Sequence, residues 1–164
     1  MSKRYKVEKS NIVIIITPIA VALILFATYH FTTSLLNHFN WLELLLAVFL
    51  FAIILYFFLE SPRYITLTDS HLILKKMFGN LVINLGEIEE IRPYSASSFN
   101  YRLLGSGGLF GFIGVFQNKE VGKYRAYVGD YKQAFIVETK NKKNFVLSCE
   151  NCAEVINIVK SSIS

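Results

Sequence analysis

Charge is scarce in this 164-residue chain: 18% of its residues are Asp, Glu, Lys or Arg, against about 25% in an average soluble domain. Between residues 12 and 59 the single charged side chain is Glu43. With 53% apolar residues and a mean hydropathy of +0.42, the chain is neither disordered nor wholly water-soluble. Its two cysteines stand three positions apart, at 149 and 152, which excludes a disulfide framework. Several chemical signatures are missing as well. Gly122-Lys123 runs into Tyr124, so there is no phosphate-binding Gly-Lys-Ser/Thr loop. A dinucleotide fingerprint starting at Gly105 and Gly107 needs glycine at 110, where Phe110 stands. His30, His38 and His71 lack ligand spacing, and no serine lies in a nucleophile elbow. No enzyme activity, cofactor or metal is expected.

What is present begins with two long apolar runs, residues 12–31 and 41–59. About 20 apolar residues make a helix that crosses the hydrocarbon core, so both runs qualify as membrane spans. The first is longer than the apolar part of a signal peptide, about 7–15 residues, and no small-residue cleavage site follows it. Residues 32–40 form a short external link, which makes the two helices antiparallel neighbours. Pro18 interrupts one backbone bond in the first. Asn40 and Glu43 have capping-box spacing for the second, which gives the lone carboxylate a structural role at the helix start.

Orientation is read from Lys and Arg. Lys3, Arg4, Lys6 and Lys9 precede the first run, the link has none, and Arg63, Lys75 and Lys76 follow the second. The positive-inside rule then places the basic segment 1–11 and everything after residue 59 in the cytoplasm, with the chain multi-pass in the inner membrane. A net charge of +5 split this way suits an anionic membrane face and not nucleic acid.

Residues 60–164 have the length of one domain. Alternating apolar positions predict strands at 63–68, 71–78, 81–85, 134–140 and 145–150, separated by turn residues such as Asp69-Ser70 and Gly79-Asn80. Residues 87–94 read either as a helical turn or as a strand. At the end, Cys152, Val155, Ile156, Val159 and Ile163 recur at helical spacing, behind an Asn151-x-x-Glu154 capping signal.

Strands closed by one terminal helix follow the plan of a pleckstrin-homology (PH) fold. The block from Gly105 to Phe116 (GSGGLFGFIGVF), the following Asn118–Tyr127 stretch and the 145–156 close resemble the bacterial PH-like domain family. After the two-helix membrane hairpin, the resemblance implies an all-β, partly open barrel of seven strands in two antiparallel sheets, capped by the C-terminal α-helix. Eukaryotic PH domains grip phosphoinositides around the first hairpin loop. Here that loop is Asp69-Ser70, short and acidic, so inositide recognition is not carried over.

The glycine block has two readings, a barrel strand with close backbone approach or an apolar loop dipping into the membrane. Gly107, Gly108, Phe110, Gly111 and Phe112, with Lys119, Lys123 and Arg125 after them, form the candidate surface for a partner or lipid. Lys140, Lys142 and Lys143 mark a second basic cluster. Cys149-x-x-Cys152 lacks the strand-helix-strand context of a redox motif and supplies only two of four zinc ligands. The expected function is a membrane-anchored module that holds a protein partner, or copies of itself, at the inner leaflet. Reading of anionic lipid headgroups by the glycine block and nearby basic residues is the alternative, and a redox or membrane enzyme using Cys149 and Cys152 ranks third.

Overall fold

The computed structural model describes residues 3–37, 40–95 and 100–163. Two helices, α1 (Asn11–Asn37) and α2 (Trp41–Leu59), are each long and apolar enough to cross a membrane. Only 6% and 0% of their apolar windows are buried inside the protein, so they are not core helices. Helix α1 continues through residues 32–37, which the sequence assigns to the link. The Thr28, Thr32 and Thr33 hydroxyls donate to carbonyls a turn back, at 2.8 Å each, which satisfies them inside the helix. His38, also part of that expected link, lies outside the described residues. Asn40 caps α2 as expected. Its side-chain oxygen accepts the Leu42 N–H at 3.0 Å, and its amide reaches Glu43 at 3.5 Å.

Among the described residues ten strands form two sheets. In the first, β1 (Lys3–Lys6) pairs with β2 (Pro62–Leu67), then come β3 (His71–Lys76) and β4 (Asn80–Asn84), all antiparallel. The second runs β5 (Ile88–Pro93), β9 (Ala134–Thr139), β10 (Asn144–Ser148), β8 (Gly122–Val128), β7 (Phe112–Asn118) and β6 (Tyr101–Gly107). A helical turn at Leu85–Glu87 leads into β5, so of the two readings of residues 87–94 the strand is the one formed. Two sheets and a terminal helix match the expected plan, but the sheets do not close into a barrel. One pairing, β8 with β10, is parallel. The chain leaves β8 through the Tyr131–Gln133 turn, forms β9 one strand further out, and folds back to set β10 between them.

Segment 1–11 was expected as a plain basic tail. Residues 3–6 are instead a strand, and its pairing with β2 puts the start of the chain and the domain on the same side of the helical hairpin. Tyr5 and Val7 point inward to the main core, alongside Ile65, Leu74, Phe135 and Leu147. The strap then crosses to the second sheet, where the Ser10 N–H donates to the Gly129 carbonyl at 3.0 Å. Helix α3 (Cys152–Ile163) covers this core with Val155, Ile156 and Val159, each burial contributing about 1.5–3 kcal/mol. The capping box expected at its start does not form. Asn151 takes φ +53°, and the Glu154 carboxylate accepts from Lys3 at 2.7 Å.

Candidate interaction surface

The glycine block takes the strand reading, with close backbone approach. It supplies two strands, β6 and β7, and the turn between them, which meets the foot of the apolar helices. Gly105 sits opposite Gly114 in that hairpin, with φ of +137° and +134°. A Cβ on Gly114 would stand 2.2 Å from the Leu104 carbonyl oxygen, so the strands approach each other only because both positions lack one.

Contacts from both helices hold the turn. The Phe110 N–H donates to Thr17 Oγ1 at 3.0 Å, and the Ser61 hydroxyl donates to the Phe110 carbonyl at 3.0 Å. The Phe110 ring meets Phe58 edge-on at 5.4 Å. Gly108 packs beside Ile16 of α1, with its own N–H donating to the Gly111 carbonyl at 3.2 Å. Phe110 is held at φ +60°, a conformation that costs a non-glycine residue about 1–2 kcal/mol. Surrounding contacts at the turn must outweigh that strain.

The eight candidate residues do not converge on one site. Gly107 ends β6, Gly108, Phe110 and Gly111 form the turn, and Phe112 opens β7 with its ring 4.9 Å from Tyr131. Lys119 follows the far end of β7, about 20 Å of strand away. Lys123 and Arg125 lie between, two positions apart and exposed on one face of β8. That face forms a groove with Lys142 and Lys143 of the β9–β10 hairpin, so the two basic clusters of the sequence partly meet. Lys140 donates instead to the Gly86 carbonyl at 2.8 Å.

Beside the hairpin lies a cleft of about 760 Å³ between α2 and the face of β6–β8. Phe49, Ile53 and Tyr56 line one wall, Leu104 and Val115 the other. At its foot Lys76 meets Glu60 at 2.6 Å, and the Tyr127 hydroxyl donates to the second Glu60 oxygen at 3.2 Å. Burial, followed by the Glu60 charge, pushes the Tyr127 phenol up to about 12. This trio was missed in the sequence, because Glu60 and Lys76 look like ordinary flanking charges until β3 folds back under α2.

One edge of the second sheet is β6, where exposed apolar side chains flank Arg102. Leu103 and Leu104 are 52% and 75% exposed, and Tyr101 is 59% exposed. A register shift between Arg102 and Leu104 makes Leu103 an extra residue in the pairing. The alternation here is too irregular to have been read as a strand beforehand.

Cys149 is buried and its thiol is pushed up to about 12, by burial first and then by Cys152 and Glu150. It therefore carries little thiolate at neutral pH. Among the described residues no three His, Cys, Asp or Glu side chains gather as a metal site. Residues 63–163 match the family described as bacterial PH domain, and no curated protein and no solved structure matches the chain.

Proposed function

The chain belongs to the bacterial PH domain family, and from there we propose a non-enzymatic module, anchored by α1 and α2 in the cytoplasmic membrane, that offers its β6 edge to an extended segment of a protein partner. Family membership argues for a binding role. The strap–β2 pairing and the Thr17 and Ser61 bonds to the β6–β7 turn fix the domain to its two helices, with almost no linker. Basic residues flank both helices on the domain's side, which supports the cytoplasmic placement of the domain and of both termini.

One observation carries the binding reading: β6 is a seven-residue edge strand with two leucines more than half exposed. An edge strand presents unpaired N–H and C=O groups to another chain, and on this one Arg102 leaves both leucines uncovered. Strand addition would use the open backbone edge for affinity and the leucines for selectivity.

The test places a photo-crosslinking residue at Tyr101 in the full chain in native membranes. A discrete protein adduct that disappears in Leu103→Lys/Leu104→Lys, but persists in Val82→Lys on the other sheet, supports the proposal. An adduct of twice the chain mass assigns the occupant to a second copy. Adducts to lipid alone overturn strand addition and favour the lipid-reading alternative.

A further inference from the structure

At the foot of the helices, Arg4, Lys6, Lys9 and Arg63 line a pocket of about 640 Å³. They arrive there by strand geometry. In β1, Arg4 and Lys6 lie two positions apart on the outer face, while Tyr5 and Val7 point into the core. The Val7 N–H donates to the Arg63 carbonyl at 2.9 Å, which draws Arg63 alongside. Lys9 stands just before α1, whose N-terminal end adds partial positive charge.

We propose that this pocket binds the phosphate headgroup of an anionic phospholipid from the surrounding bilayer. Four cations converge, and among the described residues none of them forms an ion pair. Arg4 instead lies over the Tyr64 ring, 5.4 Å from its centre. Glu150 is the one carboxylate in the lining, and it already accepts the Lys6 backbone N–H at 3.0 Å. Lys9 is held below the ordinary lysine range by burial and then by the charge of Arg63.

The floor decides between a lipid and a free anion. Phe58, from the last turn of α2, lies there with Phe110 and Met77, and Met77 is 42% exposed. Next to it Phe78 is 73% exposed, its N–H donating to the Leu59 carbonyl at the end of α2. This apolar surface continues that of α2. A soluble phosphate would satisfy the cations and leave these rings in water. A phospholipid satisfies both, with its phosphate on Arg63 and Lys9 and its glycerol and upper acyl carbons over the floor.

The inference rests on the anchoring by α1 and α2, not on the β6 edge. Its test uses the full chain in nanodiscs or mixed micelles and measures retained phosphatidylglycerol and the melting temperature. Wild type should retain phosphatidylglycerol over phosphatidylcholine and melt higher as phosphatidylglycerol is added. Lys9→Gln/Arg63→Gln should lose that preference by about thirtyfold, whereas Lys142→Gln/Lys143→Gln, with the same charge removed, should lose less than about threefold. Equal losses in the two variants, equal retention of the two lipids, or an equal rise in melting temperature with inorganic phosphate would each overturn the proposal. Alkaline carbonate extraction keeps the two readings apart. If wild type is extracted from membranes, the anchoring reading fails. A chain that stays in the membrane without lipid preference overturns the pocket alone.

Discussion

Alanine at Gly114 should cripple the β6–β7 hairpin, and alanine at Gly122, one turn further on, should not. The new methyl at 114 would lie 2.2 Å from the Leu104 carbonyl oxygen and 2.6 Å from the Gly105 Cα, both of them backbone atoms that cannot rotate away. Holding alanine near the observed φ of +134° costs about 1–3 kcal/mol. Forcing the strands apart costs about 1–3 kcal/mol more. At Gly122 φ is +71° and nothing lies within 4 Å of the added carbon, so the cost is the left-handed strain alone, about 1–2 kcal/mol. For a chain of this size 1 kcal/mol shifts the melting temperature by about 2–4 °C. Gly114→Ala should therefore melt about 4–24 °C below wild type, and Gly122→Ala at most about 2–8 °C below. Both are measured on the full chain in detergent by circular dichroism, with hydrogen exchange of the β6–β7 amides as a second readout. Gly114→Ala should also lose protection from residue 101 to 118. Equal melting temperatures for the two variants, with β6–β7 protection intact in Gly114→Ala, would refute the close-approach argument.

At pH 8 iodoacetamide should modify Cys152 and spare Cys149 until denaturant is added; equal labelling would contradict the burial argument. Cys149, Tyr127 and Tyr131 all have folded values raised to about 12, so their contribution to stability is complete below about pH 8.5 and is lost as pH rises toward 12. Melting temperature should accordingly hold level from pH 7 to about 8.5 and fall above it, and an alkaline plateau would refute this. Glu60→Gln leaves Lys76, 13% exposed, without its counter-charge, and should cost about 2 kcal/mol. The double variant Glu60→Gln/Lys76→Met should recover part of that loss, and strict additivity would deny the coupling. In a background with both native cysteines replaced by serine, His38→Cys should react with an impermeant thiol reagent added to intact cells. Ser70→Cys should react only after lysis, and the reverse pattern would invert the topology.

What the sequence determined by itself was the set of local elements. Two apolar runs became α1 and α2, the alternation at 63–68 and 71–78 became β2 and β3, and the period at 152–163 became α3. These are legible because burial of one face repeats every 2 or 3.6 residues, whatever the face packs against. Folding decided everything that depends on a distant partner. Lys-Arg-Tyr-Lys holds too few apolar residues to announce a strand, and it becomes one because the edge of β2 lies open beside it. Glu154 abandons its local capping partner for Lys3, 151 residues away. Gly105 to Phe116 could not be assigned to strand or membrane loop beforehand, because its glycines oppose one another only once β6 and β7 pair and Thr17 and Ser61 hold the turn. The basic pocket was the least legible of all. Arg63 is 54 positions from Lys9 in the chain and has the helical hairpin between them. A local pattern records which face of an element avoids water, whereas long-range pairing sets which charges end up side by side.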